Sequence, residues 1–252
     1  MDLKELQIAS QAGPVARHPW EVARLGILVD WLRGYLAGPG VILDVGCGDG
    51  FVLSSVSQQF RRPGFGVDSA WEPGLAHLPP DVNVVTSLQR LPHLGHPAAI
   101  LLMDVLEHLE TPQDLLAELE ERELLGPQTR VFVTVPAFQQ LFSQHDRFLG
   151  HYRRYSRNEL EQLMRQSGLE PLQTGYVFSS LLVVRWLQCQ MERLGLADAK
   201  PSGVAEWKAS PSLTGLIAGV LGLDAGLAQW LKAKFGVDLP GLSCYAICQP
   251  AR

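Results

Sequence analysis

An apolar run, Val41-Ile42-Leu43-Asp44-Val45, leads straight into Gly46-Cys47-Gly48-Asp49-Gly50 and then into Phe51-Val52-Leu53, where a helical pattern begins. Few folds accommodate that succession. Apolar residues crowded around one aspartate read as a strand buried on both faces, the kind found in parallel sheets. The glycines let the backbone turn tightly and leave main-chain N–H groups unshielded by any Cβ, so a nucleotide-like ligand can approach them. Asp68 lies twenty residues past Gly48 and ends a second apolar segment, Gly64-Phe65-Gly66-Val67. An acidic side chain there can accept from both hydroxyls of a ribose. A glycine turn without a ligand would need these two linked features to coincide.

The rest of the chain alternates in the same way. Apolar positions Val22, Leu25, Leu28, Val29, Leu32 and Leu36 recur at helical spacing from Trp20, after a loosely held arm over residues 1–19. Gly38-Pro39-Gly40 stops that helix. Val82–Val85, Ala98–Met103 and Arg130–Val135 read as further strands, the last ended by Pro136. Between them Thr111 can cap a helix that starts at Pro112 and closes at Gly126-Pro127. A capping box, Ser156-x-x-Glu159, opens a short helix with Gly168 at its C-terminal cap, and Ser243–Cys248 reads as a final strand. Strands alternating with helices imply an α/β fold, a parallel sheet covered on both sides.

Two apolar, helix-patterned stretches, 176–196 and 211–235, break that rhythm, joined through the polar segment 199–203. The organisation expected is a core of residues 1–178 and 242–252, with a helical insertion over 179–241. Neither stretch reads as a membrane span, because Arg185 interrupts the first and Asp224 the second. Gly215 and Gly219 form a weak Gly-x-x-x-Gly signal. The insertion can serve as a cap over the active site, as a dimer interface, or as a contact with a lipid substrate or membrane surface.

Charge and cysteines narrow the partners. A net charge of -5 gives no reason to expect nucleic acid. The cysteines at 47, 189, 244 and 248 include no Cys-x-x-Cys pair, which argues against a zinc site and a disulfide scaffold. Met1–Glu5 lacks the basic and apolar regions of a signal peptide. A cytoplasmic chain, a monomer or homodimer with possible peripheral membrane contact, is expected.

The spacing Asp44-x-Gly46-x-Gly48-x-Gly50 resembles motif I of the class I S-adenosylmethionine-dependent methyltransferases. Met103-Asp104-Val105-Leu106-Glu107-His108-Leu109 is similar to motif IV of their ubiquinone-biosynthesis type. Val135-Pro136-Ala137-Phe138 with His145-Asp146, then Gly150-His151-Tyr152-Arg153-Arg154-Tyr155-Ser156, resembles a bacterial subgroup often encoded beside glycosyltransferases. His18, Trp20 and Arg24 match that subgroup's N-terminal helix. The resemblance implies a Rossmann-like, doubly wound seven-stranded sheet in the order 3-2-1-4-5-7-6, with the last strand antiparallel. It also implies S-adenosylmethionine as methyl donor and S-adenosylhomocysteine as product.

Within that resemblance, Arg24, Asp44, Gly46, Cys47, Gly48, Asp68, Ser69, Ser87, Leu88, Met103 and Asp104 are the expected cofactor contacts. Arg24 can hold the carboxylate of the methionine part, and Asp44 can accept from its ammonium. Ser87 stands where the family often has an acidic residue. Methyl transfer is an in-line displacement that mainly requires nucleophile, carbon and sulfur to be held in line. A hydroxyl nucleophile also needs a base, and His108, His145 and His151 are the candidates. Asp104, Glu107 and His108 at i, i+3 and i+4 could hold a divalent metal, although none is expected. Arg153, Arg154 and Tyr155, in the chain's one concentrated basic-aromatic segment, are the candidate substrate contacts, because arginine forks suit acidic groups.

The function this supports is methylation of an oxygen or nitrogen on a small-molecule, glycan or lipid-linked acceptor. A non-catalytic S-adenosylmethionine-binding protein of the same fold is the alternative. An NAD-dependent oxidoreductase ranks third, because Phe51 stands where the dinucleotide fingerprint Gly-x-Gly-x-x-Gly needs a glycine.

Overall fold

The computed structural model describes residues 17–36, 38–72, 74, 77–195, 207 and 209–251. Residues 1–16 of the arm expected over 1–19, and the polar 199–203 join, lie outside them. The elements run α1 (Pro19–Tyr35), β1 (Ile42–Val45), α2 (Phe51–Phe60), β2 (Gly64–Val67), β3 (Val82–Val85) and β4 (Ala99–Met103). Then follow α3 (Pro112–Glu121), β5 (Arg130–Pro136), α4 (Gln144–Leu149), α5 (Arg157–Gln166), β6 (Leu169–Val177), α6 (Ser179–Arg193), α7 (Pro211–Phe235) and β7 (Ser243–Pro250).

The seven strands form one sheet in the order β3-β2-β1-β4-β5-β7-β6. β1 lies between β2 and β4, parallel to both, with Leu43 opposite Phe65 and Ile100. β7 runs antiparallel between β5 and β6. The order and the reversed last strand are those implied by the sequence resemblance. Alternate residues of each central strand point to opposite faces, so each strand feeds two cores. Leu43, Ile100, Leu102, Val131 and Val133 meet Leu116 and Leu119 of α3 and Leu160 and Met164 of α5. On the other face Ile42, Leu101 and Phe132 meet Leu28 and Leu32 of α1, Leu53 of α2 and Leu221 of α7.

Four local expectations change. His18 and Pro19 do not belong to a loose arm. Pro19 opens α1, and the His18 ring accepts from Trp20 N–H while Glu21 accepts from His18 N–H. Thr111 precedes α3 but makes no capping bond; its hydroxyl donates to Asp114 at 2.7 Å. α3 ends at Glu121 rather than at Gly126, because Glu123 turns left-handed (φ 57) and delivers Leu124 into the core. Finally, 176–178 are not helical. Gly175, Tyr176 and Val177 pair with Tyr245, Cys244 and Ser243, so strand pairing overrides the apolar periodicity there.

The capping box at α5 forms as read: Ser156 Oγ accepts from Glu159 N–H, and Ser156 N–H donates to Glu159 at 2.7 Å. Gly168 follows at φ 72. Ser156→Ala is expected to lower stability by about 1 kcal/mol. A urea midpoint unchanged by the substitution would show that the box contributes nothing.

Candidate active site

β1 delivers the chain into three alternate glycines that turn left-handed, Gly46 (φ 76), Gly48 (φ 55) and Gly50 (φ 73), and α2 begins at the residue after the last. The loop is fixed from β2: Gly46 N–H donates to the Val67 carbonyl at 2.7 Å. Asp68 does more than end its strand. Its carboxylate accepts from Gly48 N–H at 2.9 Å and from Ala70 N–H at 3.0 Å, tying the two candidate cofactor segments together. A Cβ on Gly46 would sit 2.6 Å from Val105 Cγ2, so the loop packs directly on the segment after β4. Ser69 is exposed beside it, Ser87 is half-buried after β3, and Leu88, Cys47 and Met103 are buried.

Arg24 reaches across from α1. It is buried, stacks on Trp20 with 4.4 Å to the ring centroid, and pairs with Asp104, which holds a left-handed φ of 59. Its Nε is buried without a hydrogen-bond partner among the described residues. Burial pushes the Asp44 carboxyl up to about 7, opposed by the nearby Arg24 charge and reinforced by Asp68 and Asp49. These features fit a zwitterionic ligand: an orphaned guanidinium N–H suits a carboxylate, and a buried acid with a raised pKa suits an ammonium.

A second cluster stands after β4, the neighbour of β1, and after β5, the neighbour of β4. Ligating atoms of Glu107, His108 and His151 lie within 4.8 Å of one another, and the rings of His108 and His151 meet edge to face at 4.6 Å. The third potential donor beside Glu107 and His108 is His151, while Asp104, the third member of the triplet noted in the sequence, is engaged by Arg24. Glu107 is buried, and its Oε2 has no hydrogen-bond partner among the described residues. Burial, then the Asp104 charge, raises its pKa well above the ordinary carboxyl value.

Asp146, which is not among the site candidates read from the sequence, lies behind His151. It is fully buried and accepts from His151 Nδ1 at 3.0 Å, Arg154 Nε at 2.8 Å and Ser143 N–H at 2.9 Å. Arg185 Nη2 lies 3.8 Å away. Burial would raise its pKa, but the His151 and Arg154 bonds outweigh it and hold the carboxyl well below the ordinary range. An ionised carboxylate only accepts, so His151 Nδ1 carries the proton and a neutral ring keeps its lone pair on Nε2. The signal available beforehand was the i, i+5 spacing of Asp146 and His151 around Gly150.

The other candidates sit differently. The His145 ring is half-buried, and burial, then Arg185, lowers its pKa to about 4, leaving it neutral near pH 7. Arg154 and Tyr155 are buried: Arg154 supports Asp146, and Tyr155 donates to the Leu106 carbonyl at 3.2 Å. Arg153, half-exposed, donates to the carbonyls of Leu109 and Glu110. Arg154 and Tyr155 therefore position this site from behind, and Arg153 remains near its surface.

Residues 22–174 match a family described as a methyltransferase domain. The chain belongs to the methyltransferase-domain family. Its fold is the class I S-adenosylmethionine-dependent methyltransferase fold, as solved structures agree. The plantazolicin methyltransferase BpumL, in complex with a monoazolic desmethylPZN analog and SAH, is 17% identical with a TM-score of 0.54, over 99% of this chain and 90% of that one. A putative sarcosine dimethylglycine methyltransferase from Galdieria sulphuraria is 16% identical with a TM-score of 0.53, over 89% and 85%. A SAM-dependent methyltransferase from Archaeoglobus fulgidus is 18% identical with a TM-score of 0.50, over 90% and 94%. No curated protein matches the chain in sequence.

Proposed function

We propose that this methyltransferase transfers the methyl of S-adenosylmethionine to an oxygen or nitrogen of a small-molecule, glycan or lipid-linked acceptor. One observation carries the reading: the glycine loop after β1 and the Glu107–His108–His151 cluster after β4 and β5 share the C-terminal edge of adjacent strands. In open α/β sheets that edge is the ligand crevice. The SAH in the BpumL complex supports the same cofactor here.

Bound in the loop, the cofactor supplies a sulfonium methyl with its leaving group built in. The N–H groups of Gly46, Cys47 and Gly48 are taken by Val67 and Asp68, so the loop's carbonyls, rather than the open N–H groups expected from the sequence, would approach the methionine part. Arg24 Nε would hold its carboxylate and Asp44 would accept from its ammonium. Asp68 and Ser69 take the ribose hydroxyls, Ser87 and Leu88 flank the adenine, and Met103 and Asp104 close the pocket. His151, oriented by Asp146, removes the acceptor's proton through Nε2, with His108 beside it. A divalent cation on Glu107, His108 and His151 is compatible with the donor set, and the proposal does not require one. A non-catalytic binding protein would leave the Asp146–His151 pair and the orphaned Glu107 oxygen without a purpose.

Calorimetric titration is the test. S-adenosylhomocysteine is expected to bind and NAD is not. Asp68→Ala should weaken that binding by about 1–3 kcal/mol, since it removes a charged acceptor and frees Gly48 N–H. An unchanged affinity would remove Asp68 from the cofactor site, and preference for NAD would overturn the cofactor assignment.

A further inference from the structure

We infer that the outer face of α6 and α7 docks on an anionic lipid bilayer. This inference stands independently of the methyl-transfer reading. Leu216, Val220, Leu223 and Leu227 recur at intervals of four, three and four along α7, and all are exposed, Leu223 at 77% and Leu216 at 66%. Val184 and Leu187 of α6 are exposed as well. Single exposed leucines are ordinary, but a two-helix apolar surface is not.

The charges decide what covers it. Arg185 and Asp224 interrupt these stretches in sequence, yet both turn inward. Arg185 bonds Ser143 and lies within 3.8 Å of Asp146 and Glu192. Asp224 accepts from the N–H and hydroxyl of Ser180 at 3.0 and 2.9 Å, at the start of α6. The exposed charged residues among the described residues of both helices are Arg193 and Lys234, both cationic, although the chain as a whole carries -5. Lys234 continues the exposed stripe of Leu223 and Leu227, and Arg193 stays exposed at the end of α6 while donating to the Gln140 carbonyl at 2.7 Å. The apolar face thus has a cationic edge that suits anionic headgroups over acyl chains.

The manner of binding follows from packing. α7 is long and apolar enough to cross a bilayer, with a mean hydropathy of 1.4 over its most apolar window. However, Ala218, Leu221 and Ala225 are buried in the core beside α1, so one side is already committed to the protein. The helix must therefore lie on the membrane rather than through it. α6 sends Arg185 inward to Ser143, so a docked bilayer would lie one helix away from the acceptor cluster.

The test is flotation of the whole chain with phosphatidylcholine vesicles, with and without phosphatidylglycerol. The chain is expected to float with the mixed vesicles, about tenfold more tightly than with phosphatidylcholine alone. Leu216→Gln/Leu223→Gln/Leu227→Gln should lower that binding about tenfold or more while the thermal midpoint and S-adenosylhomocysteine affinity stay unchanged. Arg193→Ala/Lys234→Ala should remove the preference for phosphatidylglycerol. A wild-type chain that stays with the vesicle-free fraction overturns the proposal. So does a dimer by light scattering that the triple-leucine variant returns to a monomer, since Gly215 and Gly219, which no other described residue approaches, would admit a second helix.

Discussion

Asp146→Ala is expected to stop methyl transfer and to destabilise the fold by about 3–5 kcal/mol, because it strands the buried Arg154 guanidinium without its carboxylate. Asp146→Asn separates the two effects. An amide oxygen in the Oδ1 place can still accept from both Arg154 and His151, but the negative charge that stabilises the imidazolium formed when His151 takes a proton is gone. S-adenosylhomocysteine production should fall about 10²–10⁴-fold with the affinity for that product unchanged. His151→Ala should match this loss, and the double variant should add little to it. A normal rate in His151→Ala would mean that His151 is not the base.

The same carboxylate predicts a pH response. Its folded pKa lies below the ordinary value of 3.8, so its stabilisation is full above that value and is lost as pH falls through the folded pKa. Wild-type stability should therefore drop on acidification below about pH 4, and Asp146→Ala should show a smaller drop over that window. Parallel curves for the two proteins would show that the ion pair with Arg154 adds nothing on folding.

Gly46→Ala is expected to be the most damaging change in the cofactor loop. Alanine at φ 76 is strained by about 1–2 kcal/mol, and its Cβ would lie 2.6 Å from Val105 Cγ2. Relieving that overlap costs about 1–3 kcal/mol more. Because Gly46 N–H anchors the loop to Val67, displacement should also weaken S-adenosylhomocysteine binding strongly. Val105→Ala in the same chain should restore part of the stability but not the backbone strain. If the single variant binds and unfolds like wild type, the loop is not packed against the segment after β4.

What could be read before the fold was known shares a property: its meaning is local. The glycine loop, Asp68 at the end of a strand and the Ser156 capping box each depend on residues within a turn or at a fixed offset. β6 escaped because Gly175–Val177 are equally apolar as strand or helix, and only pairing with β7 decides between them. His18 escaped as a cap because a proline beside a histidine carries no common capping signal. Arg154 looked like a substrate anchor because sequence shows its charge but not that Asp146 consumes it.

Sequence by itself determined the alternation of strands and helices, the glycine turn after β1 and the acid that follows β2, since φ preference and apolar period act residue by residue. Only the tertiary structure decided which charges remain available. Asp146 becomes the support of His151 because α4, the strand-ending loop and α6 converge on it. Asp224, which seemed to break an apolar helix, instead bonds Ser180 at the start of α6 and leaves the outer face of α7 without an anion. Those outcomes depend on which groups are buried together, and desolvation is a property of the folded neighbourhood rather than of any residue's place in the chain.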